Sequence, residues 1–558
     1  MTHPGRVTAT APPPSAPPSS PSAPSASAAS TGIPALAWAA GAGVVAAGAG
    51  IAAAEVVGIL TGPGSTPVLA VSDLVVDLTP PWAKDAAIAA FGTNDKLFLF
   101  TVVGVVAVVV AAVAGVVESR RPGWGTPITA LLAVVCGAAA LTRPDLGVLG
   151  VLPAVVAGAV GVLLLRALLR RVAPAATDSV RPGGAVGAVG AVGAGGAGGA
   201  VGPADPGRRA VLLGGTGAAA VGVGLGARAF ASAAAGGAES RAAVVLPVAA
   251  EPLPPVPATA TFDDVPGLTP YRTPSTDFYR IDTALVVPSV TTAEWSLRIT
   301  GLVEREVELS WEDVLARTQV EKWATLSCVS NTVGGDLVGN ALWRGVLTSE
   351  LLAEAGPRPE ADMVLSRSID GFTAGSPVEA LTDGRGSMLA IAMNGEPLPT
   401  QHGFPARLVV PGLYGYVSAT KWVVEMRLTT FDDDQGYWTP RGWSALGPVK
   451  ISSRIDRPGG TVPAGPTVVA GMAWAMDVGV SAVEVRVDGA EWAEAELSDA
   501  GTRSSWRQWR WQWDAEAGTH DLEVRAVDEA GDVLLEQPAA PAPNGSQGYD
   551  SVTVTVQA

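Results

Sequence analysis

The chain has 558 residues and a formal net charge of −16 at pH 7, and most of its Asp and Glu residues lie beyond residue 230. This excess of negative charge excludes nucleic acid and anionic lipid surfaces as natural partners of the acidic part. The first 230 residues are instead rich in Ala, Gly and Val, and two such different compositions predict at least two domains.

The N-terminal part begins with a polar tail and continues with apolar runs. Residues 1–30 consist mainly of Pro, Ser and Ala, a composition that predicts a disordered tail. The runs that follow, within 31–172, are long and poor in charge, which favours a four-span α-helical membrane region over a low-complexity linker. The third run is the shortest and gives the weakest prediction. The runs are Pro34–Leu60, Leu97–Val117, Pro127–Leu141 and Leu146–Leu169.

A fifth apolar run follows a Gly/Ala-rich linker, which we place at 173–207. The run lies within 208–230 and opens with Arg208-Arg209, which resembles a twin-arginine export signal; an ordinary positive-inside anchor is the alternative. An export signal of this type predicts a protein that folds before it crosses a membrane. A second linker, 231–261, leads into the acidic part.

Charged residues beside the runs set their orientation, because Lys and Arg next to a span stay on the cytoplasmic side. Arginines follow the second and fourth runs, whereas the segment between the first and second runs is mainly acidic. With five spans, these biases agree on a multi-pass protein of the cell membrane that has its N-terminus inside and everything after about residue 230 outside. The arginines are Arg120, Arg121, Arg166, Arg170, Arg171, Arg181, Arg208 and Arg209.

The acidic part predicts two further domains. From 262 to 454, short β-rich runs alternate with Pro, Gly and two predicted helices, Trp311–Arg317 and Ser349–Ala355, which indicates a mixed α+β domain. Its glycine pairs do not fit a dinucleotide-binding fingerprint. From 455 to 558, alternating segments separated by turn residues predict an immunoglobulin-like β-sandwich. The segments are Thr467–Trp474, Val480–Val487, Trp506–Trp513, His520–Asp528 and Tyr549–Val556.

Tryptophans in the third of these segments have the spacing of a strand that presents aromatic side chains to one face. We interpret them as a packed core and dimer interface rather than a stacking site for sugars or bases. They are Trp506, Trp509, Trp511 and Trp513.

Cys328 lies in the sequence Trp323-Ala-Thr-Leu-Ser-Cys328-Val-Ser-Asn331 and is the sole cysteine of the acidic part. A lone thiol with small polar neighbours is a candidate metal ligand or nucleophile. The alternative is a buried cysteine that acts as a small apolar side chain. The thiol alone does not decide between them, but the surrounding motifs favour a functional role.

Motifs on both sides of this cysteine occur in one order along the chain: Tyr271–Arg280, Thr325–Asn331, Gly339–Val346, Asn394–Pro399, His402–Arg407 and Ser418–Trp422. Together they resemble the sulfite oxidase-like molybdopterin oxidoreductase family, here as a membrane-anchored bacterial member. The resemblance extends from about Phe262 to the C-terminus, where the sandwich is similar to the family's dimerisation domain. It implies an enzyme that transfers an oxygen atom to or from a small-molecule substrate.

The resemblance also implies a molybdenum–molybdopterin cofactor and residues that bind it. Cys328 matches the thiolate that ligates molybdenum, a soft ligand suited to a metal already held by the dithiolene sulfurs of the pterin. His402 and Arg407 match positions that bind the pterin ring and its phosphate. Arg280 is expected to act in catalysis as well as at the cofactor. The other cofactor-contacting positions are Thr276, Tyr279, Ser418, Thr420 and Lys421, the last three on a loop that contacts the pterin largely through its backbone.

One departure from the family bears on the substrate. Sulfite-oxidising members have an arginine-rich stretch directly after the cysteine, which pairs with sulfite or sulfate, whereas here Asn331 is followed by Thr-Val-Gly-Gly. Arg280, Arg344 and Arg454 are candidates to compensate for the missing arginines. A neutral oxygen acceptor such as a sulfoxide or N-oxide fits the sequence at least as well as sulfite.

The histidines and cysteines limit the electron path. The chain has 3 histidines, His3, His402 and His520, none of which lies in an apolar run, and its 2 cysteines cannot hold an iron–sulfur cluster. We therefore expect neither haem nor an iron–sulfur cluster in this chain. Electrons then pass to or from a separate electron-transfer protein or a quinone. The resemblance adds a homodimer through the C-terminal domain.

Two other classes of protein fit parts of the pattern. A Cys–His acyl-transfer enzyme would use Cys328 with His402 or His520 as its base, although no third orienting residue is evident. A non-catalytic membrane-anchored binding module would use the sandwich for recognition. That class predicts no cofactor and no effect of Cys328→Ser.

Overall fold

A computed structural model describes residues 35–61, 63–80, 83, 90–91, 95–143, 147–170, 235–257 and 259–558. The predicted disordered tail, the linker 173–207 and the fifth span with Arg208-Arg209 lie outside these residues. Within them, an apolar helical region precedes a β-rich region.

Within the described residues, the first four predicted apolar runs form helices, and a further helix, Pro67–Leu78, lies between the first two. Helices Leu36–Thr61, Lys96–Arg120 and Val148–Arg170 are long and apolar enough to cross a membrane, whereas Gly125–Leu141 is shorter. The additional helix was not predicted because its two aspartates, Asp73 and Asp77, interrupt the apolar pattern. In chain order the helices are α1 (Ala35–Thr61), α2 (Pro67–Leu78), α3 (Asp95–Arg120), α4 (Gly125–Leu141) and α5 (Leu152–Arg170).

Small residues allow these helices to approach closely. A β-carbon on Gly43 of α1 would collide with the carbonyl of Ala111 of α3, and one on Gly115 would collide with Ala39. Such backbone proximity is typical of helices that associate in lipid, where dispersion contacts take the place of the hydrophobic effect. The glycines therefore set the distance between α1 and α3.

Hydrogen bonds between helix ends define two opposite ends of the helical region. Arg166 Nε, near the C-terminus of α5, donates to Thr126 Oγ1 at the start of α4 at 3.1 Å. At the other end, Arg143, which follows α4, forms an ion pair of 2.8 Å with Asp77 near the C-terminus of α2. Helices α4 and α5 are therefore antiparallel, and α2 and α4 end on the same side of the helical region.

The region from 296 to 429 contains two sheets with short helices between their strands. The strands are β1 (Ser296–Gly301), β2 (Val307–Ser310), β3 (Val320–Ser327), β4 (Val338–Leu347), β5 (Met363–Ser368), β6 (Thr373–Pro377), β7 (Met388–Met393), β8 (Glu396–Pro397), β9 (Arg407–Val409) and β10 (Val423–Thr429). The helices are α6 (Trp311–Ala316), α7 (Thr348–Ala355), α8 (Val378–Thr382) and α9 (Gly415–Ser418).

The first sheet has the strand order β2-β1-β10-β5-β6, and the second has the order β3-β4-β7-β8 with β9 also paired to β7. Strands β1 and β10 are parallel although more than a hundred residues separate them, so the chain between them folds out and returns. Helix α6 begins at Ser310, whose hydroxyl accepts the amide of Asp313 while the Asp313 carboxylate accepts the amide of Ser310. Both helices predicted in this region are present.

The C-terminal region is a sandwich of two sheets, ordered β11-β13-β17-β16 and β12-β19-β18-β14-β15. Inward side chains of both sheets form one core, for example Val469 and Trp509 from one sheet and Val485 and Leu522 from the other. The immunoglobulin-like topology and a dimer through this region stay predictions. The strands are β11 (Ser452–Arg457), β12 (Thr461–Pro463), β13 (Gly465–Trp474), β14 (Val480–Val487), β15 (Ala493–Glu494), β16 (Glu496–Leu497), β17 (Arg507–Ala515), β18 (Gly518–Asp528) and β19 (Asp550–Gln557).

The four tryptophans do not share one face, contrary to the sequence prediction. Trp509, Trp511 and Trp513 pack in or against the sandwich core. Trp506 precedes β17 and packs in a different cluster. Trp506 is an odd number of residues from each of the other three, and side chains alternate between the two faces of an extended chain. Its side chain therefore points to the opposite face.

Trp506 instead joins the sandwich to the preceding domain. Its indole Nε1 donates to the carbonyl of Tyr271 and its amide donates to Thr325 Oγ1, both at 2.8 Å. Thr325 lies in β3, three residues before Cys328. The sandwich therefore helps to fix the strand that leads into the candidate site.

Candidate functional site

An open cavity, about 950 Å³ when the solvent at its mouth is included, lies among the loops of the domain before the sandwich. The turn after β3, the β5–β6 hairpin and the segment from 402 to 422 form its walls. It brings together five predicted site residues, namely Tyr279, Cys328, His402, Arg407 and Lys421. These residues come from three separate parts of the chain, around residue 279, around residue 328 and within 402–422, so the fold assembles them.

Cys328 follows the last residue of β3, where the chain leaves the sheet. Its amide donates to the carbonyl of Leu337 at 2.9 Å, and its Sγ accepts the amide of Ser330 at 3.4 Å. The side chain is 8% exposed, and burial raises the pKa of the thiol. A thiolate at this position therefore needs a nearby positive charge, which a metal ion would supply.

Arg407 is a buried cation whose partners are neutral. Its guanidinium donates to the carbonyls of His402 at 3.2 Å and Ala419 at 3.4 Å and lies 5.1 Å from the ring centroid of Trp343. Among the described residues it has no carboxylate partner, it is 5% exposed, and burial lowers its pKa to about 10. A buried charge without a counter-ion is costly. An anionic group in the cavity, such as a phosphate, would offset that cost, so the residues present fit a phosphate-bearing cofactor.

His402 is held in its neutral form. Its Nε2 lies 3.0 Å from the carbonyl oxygen of Ser275, and because a carbonyl only accepts, Nε2 carries the proton. Burial, followed by the charge of Arg407, lowers its pKa to about 4. Its Nδ1 is therefore an unprotonated acceptor at neutral pH, which suits a hydrogen bond from a pterin N–H.

Asp282 is the centre of an ion-pair cluster that the sequence did not predict. Its carboxylate lies 2.7 Å from Lys421, 2.8 Å from Arg280 and 3.2 Å from Lys96 of α3. Burial alone would raise its pKa, but Lys421, Arg280 and Lys96 together lower it, so it stays ionised. Burial lowers the pKa of Lys421 to about 8 in spite of this carboxylate.

Four of the predicted residues do not line the cavity. Thr276 is exposed and its hydroxyl donates to Asp277 at 2.9 Å, and Arg280 reaches the cavity only through Asp282. Ser418 and Thr420 are buried with their hydroxyls bonded to Tyr414 O at 2.9 Å and Ser366 at 2.7 Å, so their side chains act on the loop conformation.

The loop that contains Lys421 ends in an unusual backbone conformation at Trp422. Trp422 lines the cavity with φ of 49°, a left-handed value that is rare for a bulky side chain. Its indole Nε1 donates to the carbonyl of Thr400 at 2.8 Å, and its ring lies 4.7 Å from the ammonium of Lys421. Such strain is found where the surrounding structure holds a functional loop.

Arg344 and Arg454, two of the three arginines expected to compensate for the missing arginine-rich stretch, lie outside the cavity, and for these two the expectation is wrong. Arg344 forms an ion pair of 2.6 Å with the buried Glu321. Arg454 pairs with Asp456 at 2.8 Å and donates to Gly335 O at 2.9 Å. Neither lines the cavity. Both lie in paired strands, where these partners hold their guanidinium groups.

The sequence prediction missed an acid and an aromatic wall. Asp370 lies at the turn of the β5–β6 hairpin, where Gly371 has φ of 87°. An Asp-Gly pair between two β-rich runs is a hairpin signal, and it could have located this turn but not its direction. The aromatic residues are Phe278, Phe372, Tyr416, Trp438 and Trp443, which line the cavity from four different segments.

Comparison with known proteins identifies relatives of this domain. Residues 284–438 match the family model "Oxidoreductase molybdopterin binding domain". The uncharacterized oxidoreductase YuiH of Bacillus subtilis is 35% identical over 154 residues, which cover 28% of this chain and 74% of that protein. Sulfite oxidase of Gallus gallus is 29% identical over 314 residues, which cover 46% of this chain and 66% of the relative.

Other relatives are matched over smaller shares of their length. Mitochondrial sulfite oxidase of Homo sapiens is 27% identical over 328 residues, which cover 49% of this chain and 58% of that protein. The chain thus spans less than two thirds of these sulfite oxidases. The solved structure of the sulfane dehydrogenase SoxCD from Paracoccus pantotrophus aligns with a TM-score of 0.45 and 24% identity and covers 52% of this chain and 85% of that one.

Proposed function

The chain belongs to the sulfite oxidase-like molybdopterin oxidoreductase family, and from this we propose that it is a membrane-anchored enzyme that transfers an oxygen atom to or from a small molecule on the outer side of the membrane. The observation that carries the proposal is the buried Arg407, which has no carboxylate partner among the described residues and shares a cavity with Cys328. Membership of an oxidoreductase family argues against the acyl-transfer and binding-module alternatives.

Three cavity residues would hold the cofactor. Cys328 would ligate the molybdenum, Arg407 would bind the phosphate, and the unprotonated Nδ1 of His402 would accept a hydrogen bond from the pterin. The bound cofactor would supply two-electron oxygen-atom chemistry. Lys421 is paired with Asp282 at 2.7 Å, and this pair supports the loop.

The charges of the cavity favour a neutral substrate. Arg407 is committed to the cofactor phosphate in this proposal, and Lys421 is paired with Asp282. Arg344 and Arg454 lie elsewhere. No further Arg or Lys lines the cavity among the described residues, so a sulfite dianion would have to share Lys421 with Asp282. A sulfoxide or N-oxide needs none.

The proposed orientation is supported by the end of the helical region that meets the cavity. Lys96 at the start of α3 pairs with Asp282, and Asp77 near the end of α2 accepts the hydroxyl of Tyr437 at 2.6 Å. The opposite ends of α3 and α5 end in arginine, at Arg120 and Arg170. Lys and Arg stay inside, which supports a cavity on the outer side. Electrons would then come from a separate redox protein or a quinone.

Metal content tests the proposal directly. We expect near one molybdenum per purified chain by elemental mass spectrometry, together with pterin, in the wild type and in Cys136→Ser. Cys136 lies in α4 and gives a matched control. Cys328→Ser should lose most of its molybdenum and keep its fold, as judged by thermal unfolding. Wild-type chain without molybdenum or pterin, from a host that loads such enzymes, would refute the proposal.

A further inference from the structure

The titratable side chains that line the cavity differ in whether they can exchange a proton near neutral pH. Tyr416 donates its hydroxyl to the carbonyl of Ser444 at 2.7 Å, and burial raises its pKa to about 12. The pKa of Tyr279 is raised even further by burial. Both phenols therefore keep their protons. They can orient a bound molecule but cannot titrate during turnover.

The histidine, lysine and one of the two aspartates are also committed. His402 donates Nε2–H to Ser275 O at 3.0 Å and keeps Nδ1 for the cofactor in the proposed function. Lys421 and Asp282 are paired at 2.7 Å, and Asp282 stays ionised among its cations. Of the two carboxyls that line the cavity, Asp370 is the one without an ion-pair partner among the described residues, so its carboxyl remains available for proton transfer.

The hairpin geometry holds Asp370 in place through weak, neutral contacts. Its Oδ1 accepts the amide of Phe372 at 3.3 Å, and its own amide donates to Ser368 Oγ at 3.4 Å. Among the described residues no Arg, Lys or His forms an ion pair with it. The charges that face it are Asp282 and Lys421, which oppose each other. Burial raises the pKa of Asp370, and Asp282 adds to that effect.

Aromatic side chains lie beside this carboxyl. The ring of Phe372 contacts Tyr437 with centroids 5.9 Å apart, Tyr416 contacts Trp443 at 5.9 Å, and Trp443 contacts Trp438 at 6.3 Å. The wall is apolar and continuous along this part of the cavity, and aromatic faces favour apolar or soft sulfur-containing groups. A small inorganic anion would find nothing to bind on it.

We propose that Asp370 is the proton-transfer residue for an uncharged organic sulfoxide or N-oxide whose apolar substituents pack against Tyr416, Trp438 and Trp443. The proposal rests on the proposed function and names the substrate class and the acid of the same site. In the balanced reaction, R₂SO + 2H⁺ + 2e⁻ gives R₂S + H₂O. The sulfur–oxygen bond breaks, the oxygen leaves as water, and an external low-potential reductant supplies both electrons. Asp370 gives one of the two protons and regains it from solvent, and solvent supplies the other proton.

Kinetics on the full chain in detergent test this role. Reduced benzyl viologen would be the donor, and methyl p-tolyl sulfoxide, trimethylamine N-oxide and sulfite the separate substrate arms. We expect Asp370→Asn to lower kcat by about 100-fold or more with little change in KM. Wild-type activity should fall as pH rises and the carboxyl loses its proton, while the activity of Asp370→Asn should not vary with pH in that range. Asp370→Glu should restore a large part of the rate.

Two measurements separate a chemical role from a structural one. Molybdenum and pterin content should be equal in wild type, Asp370→Asn and the control Asp432→Asn, which alters an exposed aspartate outside the cavity. The infrared spectrum of the resting wild-type protein should contain a band from a protonated carboxyl group. Subtracting the spectrum of each variant should show that this band is lost in Asp370→Asn and kept in Asp432→Asn.

The outcomes distinguish this inference from the proposed function. A loaded enzyme that reduces sulfoxide equally well with Asn at position 370, with the same pH profile, would overturn the role of Asp370. Efficient sulfite oxidation with no turnover of sulfoxide or N-oxide would overturn the substrate class. Absence of molybdenum and pterin from the wild type would instead overturn the proposed function itself.

Discussion

Single residues in the cavity show how burial selects a charge state. Arg407 and Cys328 are both buried, and burial disfavours the ionised form of each. A metal ion and a phosphate would reverse both effects at once, because each supplies the missing opposite charge. His402 differs from them, since its neutral form is the one that its hydrogen bond requires.

The neutral His402 makes stability depend on pH. Its pKa is 6.5 in the unfolded chain and about 4 in the fold. Between these values the unfolded state binds a proton that the folded state excludes, so the free energy of unfolding decreases as pH falls from about 6.5 to about 4. The full effect is up to about 3 kcal/mol, because a tenfold change in proton affinity corresponds to about 1.4 kcal/mol.

Denaturant unfolding of cofactor-free protein at a series of pH values measures this dependence. We expect His402→Gln to reduce the slope of stability against pH in that window. His520→Gln is the control, because Asp488 raises rather than lowers the pKa of His520 and the variant should not reduce the slope. Equal slopes in wild type and His402→Gln would contradict the assignment.

At the scale of elements, the ends of α2 and α3 meet the wall of the cavity. Arg441 lies beside Tyr437 and forms an ion pair of 3.2 Å with Asp77 of α2. Lys96 of α3 donates to the carbonyl of Ala284 at 2.5 Å in addition to its ion pair with Asp282. The helical region therefore contacts two segments that line or adjoin the cavity.

Lys96→Met tests that coupling. Asp282 keeps Lys421 and Arg280 as partners, so the carboxylate stays ionised, but the link to α3 is lost. We expect a loss of stability of about 1–2 kcal/mol and faster amide hydrogen exchange in residues 281–284, with unchanged molybdenum content. Lys322→Met, at an exposed lysine of β3, is the matched control. Unchanged exchange in 281–284 would show that α3 does not support this wall.

At the scale of the whole molecule, the position of the cavity relative to the membrane decides which partners reach it. Arg120 and Arg170 end α3 and α5, and the contacts with the cavity lie at the opposite helix ends. In the proposed orientation, substrates and redox partners of the outer compartment, or a quinone at that surface of the bilayer, would have access.

Cysteine labelling in intact cells or spheroplasts tests the orientation. On a Cys136→Ser background, a membrane-impermeant maleimide should label Asp432→Cys without permeabilisation, because Asp432 is exposed on the domain that contains the cavity. Ser119→Cys, exposed at the arginine-bearing end of α3, should be labelled only after permeabilisation. The reverse pattern would place the cavity in the cytoplasm.

The sequence by itself determined much of the local structure and the family. Apolar runs located the long helices, alternation located the strands of the sandwich, and the order of motifs around Cys328 predicted the family that the family model confirms. Each of these properties is encoded by neighbouring residues, through helix and strand periodicity or through a contiguous motif. Helix α2 was missed because its two aspartates interrupt the apolar pattern. The separate packing of Trp506 was missed because the spacing of the four tryptophans was interpreted without regard to the alternation of side chains along a strand.

Only the tertiary structure decided which charges share the cavity. Lys421 and Asp282 are 139 residues apart, so their pairing has no signature in the sequence. Asp370 belongs to a hairpin that lies between them in the chain. The same holds for Arg344 and Arg454, which were candidates only because they are arginines. The packing of β4 and β11 places them beside Glu321 and Asp456 instead of in the cavity. Charge interactions depend on distance and burial, and both are set by contacts between distant segments of the chain.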